Sequence, residues 1–281
     1  MDFTQILILA VVQGMAELLP VSSSAHVIMA EKMMGIDPTT PEMTLLLVML
    51  HTGTMFAVIV HFWKKWREAY FSCWTESLRN ARYLVVATAA TGLVGLLLLQ
   101  LIKTVVAKNS PDFEIEQLFG NTRLMAASLA AAGILIMAST RLSKGESKDL
   151  SSRSAAWIGA VQGLCLPFRG FSRSGATIST ALVFGIARHK AEEFSFALAV
   201  ILTPAVIVKE GYRLYKSNLS TGVVGQSHLL HLLWPSLIGM VFSFLAGLAA
   251  LQLLSRWLDQ GRWHFFGVYC LLASLVVLWL G

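Results

Sequence analysis

The chain has 281 residues, of which 56% are hydrophobic and 14% charged, with a net charge of +6 and a mean hydropathy of +0.66. Its apolar residues are gathered in long blocks such as Met43–Phe62, Tyr83–Ile102, Leu124–Ala138 and Phe265–Leu280, which excludes a soluble enzyme. The basic residues fall in short loops between those blocks, as membrane topology demands, so the positive charge does not point to nucleic acid.

The first predicted element is a broken one. Ile6–Val12 is too short and too poor in basic residues for a cleavable leader, and it runs into Val12-Gln13-Gly14, Glu17 and then Leu19-Pro20-Val21-Ser22-Ser23-Ser24-Ala25-His26. Residues 3–35 therefore read as two short apolar helices around a polar turn, with Ser22 or Ser23 capping the second. A hydrocarbon core of about 30 Å takes about 20 helical residues to cross, so each half is too short alone and the pair reads as a re-entrant hairpin. Full spans follow at about 43–62, 83–102 and 122–140. Lys64–Arg82 reads as a surface loop or interfacial helix. A second broken element occupies 154–187, where Val161-Gln162-Gly163 leads into Leu166-Pro167-Phe168-Arg169-Gly170-Phe171-Ser172-Arg173-Ser174-Gly175-Ala176-Thr177. Three more spans at about 193–210, 231–253 and 263–280 complete an all-α integral membrane protein of six transmembrane helices and two re-entrant helical hairpins, in a single domain. The tryptophans near span ends read as interfacial anchors, and Cys73, Cys165 and Cys270 as packing residues.

The halves repeat. A shift of 151 carries Ser23 onto Ser174, His26 onto Thr177, Thr52 onto Thr203 and Glu42-Met43-Thr44-Leu45 onto Glu193-Phe194-Ser195-Phe196. One unit, about 3–140 or 154–280, is a hairpin plus three spans. Three is odd, so the units are inverted and their broken helices face each other near mid-membrane. With the segment after the first span cytoplasmic, basic residues divide 13 against 7 and place both termini outside. Only Arg169 and Arg173 stay out of that count. They lie in the second turn, and Glu17 is the one acid well inside a hairpin. Intramembrane charge of this kind marks a binding or reaction site.

The second turn has the makings of an anion cradle: helix amides beginning near Ser174, the hydroxyls of Ser172, Ser174 and Thr177, and the guanidinium of Arg173. A competing reading makes Ser174 a simple cap and Arg173 a partner of Glu17. In the first turn, Ser23 and His26 are three apart on a helix, so the histidine can exchange a proton with the serine. Gln13 and Glu17 share a face and could hold a divalent cation or orient His26. Carboxylate, histidine and serine opposite guanidinium and amides form a phosphoryl-transfer constellation. His51, mid-span, is a candidate supporting residue.

Gln13-Gly14-Met15-Ala16-Glu17, Leu19 to His26 and Gly170 to Thr177 resemble the bacterial undecaprenyl-diphosphate phosphatase family, also called bacitracin-resistance proteins, over essentially the whole chain. The resemblance implies an inner-membrane phosphatase that removes the terminal phosphate of undecaprenyl diphosphate, with a periplasm-facing site and a need for Mg2+ or Ca2+. It implies catalytic roles for Glu17, Ser23, His26 and Arg173, substrate binding by Ser22, Gly170, Ser172, Ser174 and Thr177, and metal binding by Gln13 and Glu17. The expected partners are the polyprenyl diphosphate, membrane lipids and a second copy of the chain. The alternative activity is transport of the lipid phosphate. Two departures from the pattern stand out: Gln13 leaves one carboxylate in the acidic motif, and Arg169 replaces the proline before the motif glycine.

Overall fold

The computed structural model describes residues 1–38, 40–105, 121–143, 148–221 and 226–280, with backbone alone for Pro41, 213–221 and 226–232. Of the basic residues counted above, Lys108 and Lys144 lie outside the described residues. The described chain is helical: α1 (Phe3–Leu18), α2 (Ser23–Met33), α3 (Pro41–Phe71), α4 (Trp74–Val105), α5 (Thr122–Leu142), α6 (Ser152–Cys165), α7 (Arg173–Val183), α8 (Arg188–Thr221), α9 (Gln226–Asp259) and α10 (His264–Leu280). No strand occurs among the described residues, only an isolated bridge between Lys148 and Ile186.

Helix starts follow local chemistry. Asp2 accepts from Gln5 N at 2.7 Å while Gln5 Oε1 accepts from Asp2 N, a reciprocal cap on α1. Thr40 and Pro41 open α3, and Asn121 accepts from Leu124 N to open α5.

Five helices are long and apolar enough to cross a membrane, contained in α3, α4, α5, α8 and α9. All of these except α5 overrun the spans expected from hydropathy, because charged ends such as Lys64–Glu68 and Arg188–Lys190 continue the helix into water. The stretch expected as a loop or interfacial helix at Lys64–Arg82 is the end of α3 and the start of α4, broken only at Ser72 and Cys73. The sixth expected span, α10, has 17 residues and is apolar but shorter. The four helices of the two broken elements have 16, 11, 14 and 11 residues.

Packing fixes where the breaks meet. α1 lies against α9 and α3, α6 against α4, α5 against α10 and α7, and α3 against both α8 and α9. Small residues allow the closest approaches: a Cβ on Gly159 would sit 2.0 Å from Ala87 O of α4. Phe62, Phe196, Leu129 and Ile136 fill the interior, whereas Leu93, Leu96, Leu97 and Leu101 of α4 face outward. That outward apolar surface suits lipid. Trp263, expected as an interfacial anchor, is 2% exposed, and its indole N–H lies within hydrogen-bonding reach of Ser139 and Ser179. It is a core residue because a buried indole can keep its donor satisfied there. Cys165 and Cys270 are buried free thiols and Cys73 is exposed.

Candidate active site

Both turns are shaped by backbone that ordinary residues resist. In the first, α1 stops at Leu18, Pro20 follows, and Ser22 takes φ 69°, the one positive φ outside glycine among the described residues. Such a conformation costs roughly 1–3 kcal/mol and persists where neighbours hold it. His26 does so here, its Nδ1 lying 2.8 Å from Ser22 O. In the second turn Gly170 has φ 103°, and a Cβ there would meet Met125 O of α5 at 2.3 Å. Gly170→Ala is therefore expected to destabilise the fold by more than about 2 kcal/mol, read as a lowered Tm in detergent. An unchanged Tm would contradict this packing.

These turns bring the opposed tips together. Arg173 Nη2 donates to Glu17 Oε1 at 2.7 Å across 156 positions of sequence. Ser23 Oγ donates to Glu17 Oε2 at 2.5 Å, and Gln13 Nε2 donates to the same oxygen at 3.3 Å. Ser174 Oγ donates to Leu19 O at 3.2 Å, a direct stitch between the tips. A cavity of about 250 Å3 opens beside them, lined on its polar side by Glu17, Ser23, His51, Arg169 and Arg173 and on its apolar side by Phe168, Phe171, Leu202 and Val206. The lining residues of α3 and α8 lie near the middle of those helices. Drug-sized ligands fill about 300–1,000 Å3, so this volume suits a headgroup rather than a whole lipid. Arg173 lines the cavity and keeps a second arm uncommitted: Nη1 is buried and has no hydrogen-bond partner among the described residues.

The expected site residues divide in an instructive way. Glu17, Ser22, Ser23, Ser172, Arg173 and Ser174 line the cavity; His26, Gly170, Thr177 and Gln13 do not. The Ser23–His26 exchange is not formed. Ser23 turns back to Glu17, while His26 Nε2 lies 2.6 Å from Tyr269 Oη and its ring stacks on Tyr269. Glu17 therefore does not orient His26. The competing reading, a Glu17–Arg173 pair, is what the structure contains, but the cap of α7 is Ser172, accepting from Gly175 N, and Ser174 bonds Leu19. Thr177 is fully buried, donates within its helix and contacts Ser195. Gly170 shapes the turn. Sequence reasoning passed over Tyr269 and Gln162. The latter lines the cavity, and its only signal was the repeated Val-Gln-Gly. His51 Nε2 stands 3.9 Å from Glu17 Oε2.

Because the His26–Tyr269 contact lies outside the cavity, Tyr269→Phe removes one neutral hydrogen bond, worth about 0.5–1.5 kcal/mol. Turnover is expected to fall by no more than about tenfold, measured as kcat. A loss of about 10³-fold would show that the pair takes part in the chemistry.

The donor set does not fit a divalent cation held by protein alone. Among the described residues Glu17 is the only carboxylate lining the cavity, and both its oxygens already accept hydrogen bonds. Gln13 approaches it with a donor. Among the described residues no group of three or more His, Cys, Asp or Glu could hold a metal ion. Hard cations want several free oxygens.

A second cavity of about 570 Å3 lies among the ends of α3, α4 and α8, with Lys65 paired to Glu193 at 3.3 Å and Lys190 hydrogen-bonded to Asp149. The hydrogen bond and charge of Lys190 hold the Asp149 carboxyl below its ordinary range. Its charges are mutually paired, and none of its lining residues belongs to the first cavity.

Long apolar helices around a part-buried carboxylate, serine and arginine define a multi-pass membrane protein with a charged cleft between its helices. Comparison with known proteins makes this particular. The pattern of the family described as "Bacitracin resistance protein BacA" matches residues 6–276, and the chain belongs to that family. It is 63% identical over 280 residues to "Undecaprenyl-diphosphatase 2" of Acinetobacter baylyi, covering 99% of this chain and 98% of the relative. It is 31% identical over 282 residues to "Undecaprenyl-diphosphatase" of Halothermothrix orenii, with 99% and 98% coverage, and 30% identical over 283 residues to the one of Salinibacter ruber, with 100% of each chain covered.

Proposed function

We propose that the chain is an integral-membrane hydrolase that cleaves undecaprenyl diphosphate to undecaprenyl phosphate and inorganic phosphate, recycling the lipid carrier for cell-wall synthesis. The observation that carries this reading is the Ser23–Glu17–Arg173 triad at the cavity: a hydroxyl 2.5 Å from a carboxylate that is itself 2.7 Å from a guanidinium with a free arm. Relatives named as undecaprenyl-diphosphatases support it along the full length.

In this mechanism Arg173 Nη1 and the first amides of α7 take the diphosphate oxygens. Ser23 attacks the terminal phosphorus as the bond to the lipid phosphate oxygen breaks, and water then hydrolyses the phosphoserine to inorganic phosphate; or Ser23 orients a water that attacks the phosphorus directly. Glu17 takes the proton from Ser23 Oγ, the place first assigned to His26. His26 acts instead on the backbone of Ser22. Phosphoryl transfer needs placement and charge neutralisation more than covalent chemistry, and a dry cleft strengthens both. The isoprenoid tail lies along the apolar side, past Phe168, Phe171 and Val206. A Mg2+ or Ca2+ ion would arrive on the diphosphate rather than on a protein cage.

The same reading places the protein in the bacterial inner membrane with six spans, two re-entrant hairpins and the cleft open to the periplasm. Helices of 11 residues reach about 17 Å, well short of the hydrocarbon thickness. Exchanging the two units swaps the α1–α9 contact for the α6–α4 contact and keeps the α5–α10 and α3–α8 contacts, which supports a repeat, although α3 packs far more against α9 than α8 does against α4. Transport is the weaker reading, since a carrier needs no Ser–carboxylate pair. Purified protein supplied with undecaprenyl diphosphate is expected to release one phosphate per lipid, and a chelator is expected to act through the substrate, reversed by excess lipid-bound cation. Release of no phosphate with cation present would sink the reading.

A further inference from the structure

The cleft contains a second polar atom without a hydrogen-bond partner among the described residues. Arg173 Nη1 is a donor; Gln162 Oε1, equally buried, is an acceptor. Gln162 sits on α6, is 0% exposed as a residue, and lines the cavity. The way its amide points follows from its neighbour. Thr91 Oγ1 of α4 is 2.8 Å from Ala87 O and 2.9 Å from Gly159 O, and both carbonyls can only accept. A hydroxyl has one hydrogen, and here those carbonyls take it. Toward Gln162, at 3.1 Å, Thr91 can only accept. The Gln162 atom facing Thr91 is therefore Nε2, and Oε1 is held on the other side with nothing to accept from. Buried polar atoms nearly always have partners, so a lone acceptor on a residue of the cavity wall points to a ligand group that reaches it when the cleft is filled.

The two Val-Gln-Gly copies lie 149 apart and not 151, because the stretch from glutamine to the turn serine is two residues longer in the second unit, and their glutamines have two different tasks. Gln13 turns its donor to Glu17 and braces a protein carboxylate. Gln162 is locked by Thr91 and offers an acceptor to whatever enters. An oxyanion without hydrogens satisfies Arg173 Nη1 but leaves Gln162 Oε1 unpaired. A ligand that brings both an oxygen and an O–H satisfies both.

We propose that Gln162 is a substrate-contacting residue whose Oε1 accepts an O–H hydrogen inside the cleft while Arg173 Nη1 holds a phosphate oxygen of the same headgroup. This deepens the phosphatase reading and rests on it. The O–H comes from the headgroup itself, as a singly protonated terminal phosphate, or from the water that enters for hydrolysis. Sites built around a hydrogen bond reject analogues that lack it far more strongly than apolar pockets reject a changed shape.

Inorganic phosphate carries an O–H at neutral pH and sulfate, of nearly the same shape, carries none. The test uses the full chain in detergent, with Gln162→Met, which keeps the length of the side chain and removes the acceptor. Binding of phosphate and of sulfate is titrated directly, and kcat and KM are measured on undecaprenyl diphosphate by separating the lipid products. If the headgroup supplies the hydrogen, the wild type binds phosphate at least about tenfold more tightly than sulfate, and Gln162→Met loses that preference. If water supplies it, the preference survives and kcat falls at least about tenfold with KM within about twofold. Either result supports the contact. A folded Gln162→Met protein that keeps the preference and keeps kcat within about twofold overturns it. Should that variant not fold, Gln162→Asn withdraws the carbonyl by about 1.5 Å and is read by the same outcomes. A wild type that prefers phosphate over sulfate but releases none from the lipid would sink the phosphatase reading and leave the Gln162 contact standing.

Discussion

Arg173→Ala is expected to lower kcat/KM for phosphate release by at least about 10²–10³-fold, the loss seen when one preorganised donor to a transition-state oxyanion is removed. The guanidinium has two separate tasks here. Nη2 neutralises Glu17, and Nη1 is buried beside the cavity that Arg173 lines, with no partner among the described residues. Alanine ends both, and it also leaves Glu17 as an unpaired charge among apolar helices. Removing one partner of a buried pair costs about 3–5 kcal/mol, so lost activity alone could reflect a lost fold. Two companions separate the effects. Arg173→Lys keeps a charge but not the planar fork, and should retain the Tm while losing at least tenfold in kcat/KM, roughly one good hydrogen bond to a charged group. Arg173→Ala combined with Glu17→Gln removes the orphan charge, and should recover Tm without recovering turnover. Retained phosphate release by a folded Arg173→Ala protein would remove Arg173 from the chemistry.

Ser23→Ala is expected to reduce kcat by at least about 10³-fold with KM nearly unchanged, the pattern of a group used in the transition state and not in binding. Ser23 Oγ is held against Glu17 Oε2 at the mouth of the cleft, beside the strained Ser22. That strain is consistent with a backbone bent to aim the hydroxyl. The change removes no buried charge, so the Tm should move little. Equal loss in kcat and gain in KM would reassign Ser23 to binding.

The helical membrane fold was plain in the sequence because hydropathy in a bilayer has few solutions. The meeting of the tips was plain too, since one carboxylate and two guanidiniums among apolar residues must find partners, and Glu17 found Arg173. Helix ends were not legible, because hydropathy marks the lipid and not the helix; α8 runs from Arg188 although the span was expected from 193. The spacing of Ser23 and His26 predicted neighbours, yet the turn at Ser22 aims one inward to Glu17 and the other outward to Tyr269. Spacing along a helix cannot say which face meets which helix. In the sequence Gln162 is visible only as half of a repeat, since the orphan acceptor exists only once Thr91 is packed against it.

In the proposed reaction, residues from both hairpins act as one unit on one diphosphate. A double-mutant cycle in kcat/KM on Ser23→Ala and Arg173→Lys tests that most directly. Groups that act as a unit are strongly non-additive: the double variant should be no worse than the more damaged single by more than about tenfold. Full multiplication of the two losses would show the hairpin tips working independently and would contradict a shared site.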